Sequence, residues 1–529
     1  MSDSIKLQGD GNSQKLGNCS FTAPGIEGTL TVWTGSKQEA VRGENEPSPF
    51  YPEILAHLGI SEEKIFELDI TSDRGTPTGE EPTEGTRSGG DGMELLVPAL
   101  SADPEEDGCV LLMVDESGEH RWLFPEERPT NKESLRGGAP GNSFVFDIPR
   151  IPETKATEGD ENKEDRGNES VHRGIITKIG RRILRVFMWG TDKLVGPAAR
   201  KLISMWEDSR RPYLFLTCDP NGEERFRPLP RLEEQADDAV LHQWQRLDGK
   251  RSLLLLHGTF STAQAAFDGI SREQWNLWSE QYEGRIFAFN HRTLTATPQE
   301  NAQELLNRLP PNFHLSADVV MHSRGGLVGR ELMERLSLLE LGGRQVSIGK
   351  AVFVGVPHLG TKLVQEGYMV DFVDRYTNLL TRLPDGPFAY ALEGVLAAVK
   401  VIYHGAVKAL DGLQSMNPAG SYLEEMNRDP SSSTIYHAIG ADFAPQPAGI
   451  LSGILWGAVD GAVDRVFQAG NDVVVPSDGC FGTGGANSHL FEIPQESRLF
   501  FPPKKGVNHL NYFLQEETLD AITKWCAQN

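Results

Sequence analysis

Residues 317–332 read ADVVMHSRGGLVGREL and place one serine between an apolar run and a pattern typical of a helix. The apolar run predicts a buried strand, and Leu332, Leu336 and Leu339 recur at helical spacing after it. A serine at a sharp strand-to-helix turn projects its hydroxyl beside helix amides that stabilise developing negative charge. Ser323 is therefore predicted to be a nucleophile.

The residues two positions before and after such a serine should be small, because the backbones pass closely at the turn. Gly325 meets this requirement, whereas Met321 stands where a glycine is usual. The alternative interpretation is an ordinary strand-to-helix turn in which Ser323 only caps the helix.

A second apolar run, SLLLLHGTFST, begins at Ser252 and contains a His-Gly pair. Gly258 would let the following loop bend towards a substrate oxygen, so the sequence predicts a pair of backbone amides that bind an oxyanion. We expect the N–H of Thr259 to be one donor, with that of Phe260 as the alternative, and the N–H of Arg324 to be the other.

The carboxylate and the histidine of a serine relay should follow the nucleophile in that order. Asp472 precedes a strand-like run in GNDVVVPSDG and is the predicted acid, with Asp478 as the alternative. His509 lies in a loop before the last predicted helix and is the predicted base, with His489 as the alternative. The imidazole would take the proton of Ser323, and the carboxylate would stabilise the imidazolium.

From about residue 250, short apolar runs alternate with helical segments. Continuous apolar runs are typical of strands that are covered on both faces, and interleaved helices indicate parallel strands. The second half is therefore predicted to be an α/β domain with a mostly parallel, doubly covered sheet. Its candidate strands are 252–258, 285–291, 317–323, 350–357, 433–440 and 490–494.

The first half of the chain has a different pattern. Residues 1–150 are predicted to form a β-rich domain of unknown role with flexible loops, among them 71–92. Residues 151–249 are predicted to contain a charged linker, an amphipathic helix within 171–207 and a hairpin at 212–230. A basic helix can lie on an anionic membrane, but we favour a helix packed between domains with a solvated basic edge. The candidate strands of the first domain are 28–34, 93–100, a hairpin over 109–125, and 142–149.

Composition excludes some classes of function. The formal net charge of -24 argues against a nucleic-acid-binding surface, because phosphate recognition needs clustered Lys and Arg. The five cysteines lie far apart without a metal-binding spacing, which argues against a disulfide framework or a zinc site. The N-terminal residues are polar and contain no apolar signal core. A cytoplasmic protein is the simplest interpretation.

Four motifs taken in order, HGTF, HSRGGLVGREL, VFVGVPHLGTKL and NDVVVPSDG, resemble those of lipase-like α/β hydrolases. The resemblance is to a bacterial subgroup similar to triacylglycerol lipases and GPI-inositol deacylase-like serine hydrolases, and it covers residues 250–529. It implies an α/β-hydrolase fold as the catalytic domain, serine chemistry, and no metal or cofactor. It also implies the site residues, which are Ser323, Asp472 and His509 as catalytic groups and Thr259 and Arg324 as oxyanion donors.

Residues 364–415 follow the strand after the serine turn, where lids are commonly inserted, and they are rich in apolar residues. An insertion at 442–468 is also apolar. Apolar segments over a serine site suit acyl chains, so the predicted substrate is an apolar ester or a lipid. A serine peptidase or amidase and a catalytically silent interaction module are the alternatives. Residues 1–249 are a candidate surface for a protein partner, and a peripheral membrane contact stays open.

Overall fold

The chain divides into two compact units, residues 1–48 with 55–193 and residues 49–54 with 194–529. The domain boundary predicted at 249/250 therefore falls inside the second unit. The computed structural model describes residues 2–33, 55–56, 58–73, 92–101, 107–115, 118–126, 143–150, 180–190, 196–222, 224–235, 237–380, 388–428, 430, 432–444, 470–482 and 491–527.

The first unit contains antiparallel strands of 3 to 13 residues. In chain order they are β1 (Ser2–Gln8), β2 (Gln14–Leu16), β3 (Cys19–Thr22), β4 (Ile26–Trp33), β5 (Ser61–Asp73), β6 (Met93–Pro98), β7 (Asp107–Asp115), β8 (His120–Leu123), β9 (Ser143–Ile148) and β10 (Gly180–Gly190). Among the described residues, one sheet has the order β1-β4-β5-β10-β7-β8 and another has the order β2-β3-β6-β9. The four candidate strand regions of the first domain all contain strands of these sheets.

The helix predicted within 171–207 is wrong over Gly180–Gly190, which form a strand. A helix does form later, at Gly196–Arg210, and it belongs to the second unit. The loop predicted at 71–92 lies mostly outside the described residues, and its first residues, 71–73, end β5.

A buried arginine explains why β10 resembles a helix in the sequence. Alternate residues Arg182, Leu184 and Val186 are buried, as expected for a strand with a covered face. The Arg182 guanidinium donates a hydrogen bond to the carbonyl of Pro149. Because arginine normally faces solvent, a buried arginine at position 182 masks the alternation of buried and exposed residues that indicates a strand. The spacing of the remaining apolar residues then resembles that of a helix.

The second unit contains a mostly parallel sheet. Its strands are β11 (Leu214–Cys218), β12 (Phe226–Pro228), β13 (Ser252–Leu256), β14 (Ile286–Asn290), β15 (His314–His322), β16 (Gln345–Val354), β17 (Ile435–Ala441) and β18 (Arg498–Phe501). They lie in the order β12-β11-β14-β13-β15-β16-β17-β18. Strand β11 is antiparallel to both of its neighbours, and the pairs from β14 to β18 are parallel.

Two predictions about this sheet need correction. The hairpin predicted at 212–230 forms as β11 and β12, but it extends this sheet at one edge, whereas the prediction placed it outside the α/β domain. The predicted strand 490–494 is a loop over its described residues, 491–494, and the edge strand is β18 instead. The side chains of Phe491 and Ile493 are nevertheless buried, which accounts for the apolar pattern of that loop.

Helices connect these strands. They are α1 (Gly196–Arg210), α2 (Asp238–Leu247), α3 (Ala263–Phe267), α4 (Arg272–Gln281), α5 (Pro298–Arg308), α6 (Gly325–Glu334), α7 (Met369–Leu380), α8 (Phe388–Tyr403), α9 (Asp411–Gln414), α10 (Ser421–Arg428), α11 (Ser477–Phe481) and α12 (Glu516–Ala527). Short 3₁₀ turns lie at Leu336–Leu338, Lys362–Val364, Glu366–Tyr368, Val407–Ala409, Gln495–Ser497, Pro503–Lys505 and Tyr512–Leu514. Among the described helices, none is long and apolar enough to cross a membrane.

Both faces of the central strands are buried. Val320 of β15 belongs to one core with Trp275 of α4 and Trp525 of α12. Met321, the next residue, points to the opposite face, where its sulfur lies against Gly329 of α6. The continuous apolar runs of the sequence therefore reflect strands that are covered on two sides.

Candidate active site

Ser323 lies at the turn between β15 and α6, and its backbone is left-handed, with a φ of 52°. This conformation is uncommon outside glycine and is typical of functional sites. The Ser323 N–H donates to the Val354 carbonyl at 2.9 Å, which ties the turn to β16. A Cβ at Gly258 would lie only 2.6 Å from the Ser323 Cβ. A Cβ at Gly325 would lie 2.5 Å from the His257 carbonyl oxygen, so the turn requires both glycines.

Helix α6 accommodates the methionine that replaces the usual glycine before the serine. Met321 is fully buried, and a Cβ at Gly329 would lie 2.1 Å from its sulfur. Gly329 therefore provides the space that a small residue at position 321 would otherwise provide. Sequence reasoning missed this residue, although a glycine inside a helix costs about 1 kcal/mol and so needs a packing reason.

The structure brings the predicted nucleophile, base and acid together. His509 Nε2 lies 2.9 Å from Ser323 Oγ, and His509 Nδ1 lies 2.8 Å from Asp472 Oδ2. All three side chains are buried. The alternative acid, Asp478, is exposed on α11, and the alternative base, His489, lies outside the described residues.

The Asp472 carboxylate has hydrogen-bond donors at both oxygens. Oδ1 accepts from the N–H groups of Val474 and Val475 at 3.1 and 2.7 Å. Oδ2 accepts from the Tyr512 hydroxyl at 2.9 Å as well as from His509. Burial raises the pKa of Tyr512 well above its ordinary value, so the phenol stays a neutral donor. A buried charge needs such partners. Sequence reasoning missed Tyr512, although it stands one turn after the histidine.

Comparison with known proteins gives a family and remote structural likenesses. Residues 223–527 match the model of a family described as a domain of unknown function, DUF7379. The chain belongs to the DUF7379 family. No curated protein matches the chain significantly.

Two solved structures illustrate what this DUF7379 chain is similar to. Lipase 1 from Pelosinus fermentans shares 11% identity, with 53% of this chain and 97% of that chain covered and a TM-score of 0.35. EstA from Clostridium botulinum shares 11% identity, with 53% and 88% covered and a TM-score of 0.36. Likenesses at this level assign no activity, so the function of the DUF7379 domain depends on its site.

In the DUF7379 domain, the backbone N–H groups of Thr259, in the loop after β13, and of Arg324, at the serine turn, have no acceptor among the described residues. The N–H of Phe260, by contrast, donates to Thr293 Oγ1 at 3.3 Å. This bond argues against Phe260 as the alternative oxyanion donor. Free, fixed amides suit an oxyanion hole, and the roles of Thr259 and Arg324 there stay a prediction.

His322 directly precedes Ser323, and its ring contacts the backbone of His509. Its Nε2 lies 2.8 Å from the His509 carbonyl oxygen. Burial lowers the pKa of His322 to about 3, so the ring is neutral and Nε2 must carry the proton that it donates. The ring of His322 therefore helps to hold the backbone of His509.

Aromatic side chains cover the site of the DUF7379 domain. The Tyr376 ring of α7 lies 6.2 Å from the His509 ring and 5.0 Å from the Phe260 ring, measured between centroids. Burial raises the pKa of the Tyr376 phenol above its ordinary value, so the phenol stays neutral. Ser323 is 2% exposed and His509 is 0% exposed. The relay is therefore closed to solvent in this conformation.

The contact between Met321 and Gly329 predicts a coupling between two substitutions. We expect Gly329→Ala to destabilise the protein by about 1–3 kcal/mol, because the added methyl overpacks the core. Met321→Ala in the same variant should relieve the clash, so the double variant should be more stable than the summed single effects. Urea unfolding measures each free energy. Gly367→Ala is the control, because its Cβ would meet nothing within 4 Å. Strictly additive effects would contradict the contact.

Buried neutral histidines predict a loss of stability in acid. Burial lowers the pKa of both His257 and His322 to about 3. Between that value and the ordinary value of about 6.5, the unfolded chain binds protons that the folded chain does not, so stability falls as the pH drops through this window. Between pH 7 and pH 5, we expect the free energy of unfolding of His322→Gln to fall by about 2 kcal/mol less than that of wild type, as measured by urea unfolding. Equal losses would contradict the assignment.

Proposed function

We propose that this DUF7379 chain is a serine hydrolase that cleaves carboxylic esters through an acyl-enzyme. The observation that supports the proposal most is the continuous chain from Ser323 Oγ through His509 to Asp472, with separations of 2.9 and 2.8 Å. An imidazole at these distances can act as a general base. The same distances argue against a catalytically silent module, for which we expect the imidazole to lie beyond reach.

The proposed reaction has two halves. In the first, His509 Nε2 takes the proton of Ser323 while Oγ bonds to the ester carbonyl carbon, and the amides of Thr259 and Arg324 stabilise the oxyanion. Collapse of this intermediate breaks the bond to the alcohol, which takes the proton from His509. In the second half, His509 deprotonates a water molecule that attacks the acyl carbon, and collapse releases the acid and returns the proton to Ser323. Asp472 stabilises the imidazolium in both halves.

The covering helices favour an apolar acyl group. Phe260, Phe372 and Tyr376 form an aromatic cluster at the relay. Helix α8 adds buried apolar side chains that include Val395, Leu396 and Val399. Walls of this kind desolvate a hydrocarbon chain at little cost. We therefore propose an apolar ester or lipid substrate, with α7 and α8, both within 364–415, as its lid.

Other features remain predictions from the sequence alone. They are a protein partner for residues 1–249, a cytoplasmic setting, a peripheral membrane contact and the absence of nucleic-acid binding. The apolar insertion predicted at 442–468 lies outside the described residues apart from 442–444. Cleavage of peptides or amides at the same site is the alternative to ester cleavage, and it needs a direct assay.

Covalent labelling tests the nucleophile. A fluorophosphonate probe should label wild type and not Ser323→Ala, because phosphonylation needs the Ser323 hydroxyl. His509→Ala should slow labelling by at least about 100-fold, since it removes the general base. Mass spectrometry locates the adduct, and Ser347→Ala, a serine on β16 away from the turn, is the control. Labelling of Ser323→Ala at the wild-type rate would reject the proposal.

A matched substrate series separates the two chemistries. Esters and anilides with the same acyl groups should be compared by kcat/KM as the acyl chain lengthens. The proposal expects a preference for esters and a rise in kcat/KM with chain length. Anilide cleavage at a comparable rate would identify an amidase instead.

Tyr376 tests the lid. We expect Tyr376→Ala to increase the labelling rate of a bulky fluorophosphonate severalfold relative to a small one, because removal of the ring raises the population that admits the larger probe. Tyr376→Phe keeps the ring and should retain the wild-type ratio of rates. Tyr368→Ala, at an exposed tyrosine just before α7, is the control. An unchanged ratio in Tyr376→Ala would argue against the lid.

A further inference from the structure

A buried glutamate that precedes the family match binds a loop beside the candidate site. Glu207 lies on α1 and is 1% exposed. Its Oε1 accepts hydrogen bonds from the N–H groups of Thr293 and Leu294 at 2.7 and 2.9 Å. Its Oε2 accepts from the N–H and the hydroxyl of Thr295 at 3.0 and 2.5 Å. Within the described part of the chain no Lys or Arg pairs with this carboxylate, so the loop itself stabilises the charge.

A buried cation binds the carbonyl groups of the same loop. The Arg324 guanidinium donates to the carbonyls of Arg292 and Ala296, and its Nε donates to the Gly412 carbonyl at 2.7 Å. Burial lowers the pKa of Arg324 to about 10, so it remains charged at neutral pH. Two opposite buried charges are thus linked through the peptide groups of residues 292–296, without a direct ion pair between them.

The loop 292–296 is connected to both amides that are predicted to bind the oxyanion. Thr293 Oγ1 accepts the N–H of Phe260, which directly follows Thr259 and has a left-handed φ of 57°. The other amide belongs to Arg324 itself, whose side chain binds the loop. The loop therefore fixes Thr259 through Phe260 and fixes Arg324 through its guanidinium.

We infer that Glu207 is a positioning residue that sets the spacing of the two oxyanion-binding amides. The inference rests on the proposed function and extends it to a residue outside the matched region 223–527. Hydrogen bonds to an ionised acceptor are roughly twice as strong as neutral ones, so Glu207 holds the loop firmly. A displacement of about 1 Å at a reacting centre can lower the rate by about 100-fold.

Glu207→Gln is the central experiment. Glutamine has nearly the same size, but in either orientation its amide nitrogen faces donors of the loop and cannot accept their hydrogen bonds. We expect kcat for a chromogenic ester to fall by about 10- to 100-fold with little change in KM, because the oxyanion forms only after binding. Affinity for an alkyl boronic acid, which forms a tetrahedral adduct, should fall by a similar factor. Rates are counted per fluorophosphonate-titrated Ser323, so unfolded protein does not contribute.

Asp208→Asn is the matched control on the same helix. Asp208 is the neighbouring carboxylate, but it is half-exposed and pairs with the Arg292 side chain instead of the loop amides. An exposed ion pair contributes about 0–1 kcal/mol, so this variant should keep a kcat close to that of wild type. A loss confined to Glu207→Gln would support the positioning role.

Thr293→Val decides the question if Glu207→Gln does not fold. It removes only the hydroxyl that accepts the Phe260 N–H, and we expect the same loss of kcat at nearly constant KM. The inference alone would be overturned if every variant that folds kept a kcat per titrated site within about threefold of wild type. A threefold change corresponds to less than 1 kcal/mol. Failure of wild type to react with the fluorophosphonate would instead overturn the proposed function, and the inference with it.

Discussion

The left-handed backbone of Ser323 is the constraint on which the candidate site depends. This conformation costs about 1–2 kcal/mol in a residue that has a Cβ, and it persists only where the surroundings enforce it. Here the enforcement comes from β16, whose Val354 carbonyl binds the Ser323 N–H, and from the close approach of Gly258. The space that Gly329 leaves for the Met321 side chain also contributes, because it lets β15 and α6 pack tightly at the turn.

Buried charges then specify the loops around that turn. A carboxylate in a dry interior must collect hydrogen bonds, and where the donors are backbone amides it fixes the path of the chain. Asp472 orders the residues after it in this way, including Val473, which has a φ of 85° that is rare for a β-branched residue. The Val473 carbonyl accepts a hydrogen bond from the Arg375 side chain of α7 at 3.0 Å, so the loop that follows Asp472 also contacts a helix that covers the site. Glu207 and Arg324 order residues 292–296 by the same principle.

Sequence patterns reveal those parts of the site that carry their own motif. The serine turn, the Asp-led apolar run and the histidine loop each stand in a recognisable local context, so Ser323, Asp472 and His509 could be predicted and are brought within hydrogen-bond distance. Interactions between a side chain and a distant backbone leave no such pattern. Glu207 binds amides far along the chain, so its contacts with the loop could not be predicted. The buried Arg182 obscures the alternation of β10, so that strand could not be predicted either.

The second folded unit includes residues 194–222, which precede the family match at residue 223, and these residues are needed for its packing. Strand β11 precedes residue 223, pairs with β14 and stacks Phe215 on Phe287 with ring centroids 4.7 Å apart. Without β11, the backbone of β14 would become an unpaired edge, which favours association between chains. Without α1, the amides of Thr293, Leu294 and Thr295 would lose the carboxylate that accepts them. The segment that was predicted to lie between the two domains therefore completes both the sheet and the loop beside the serine.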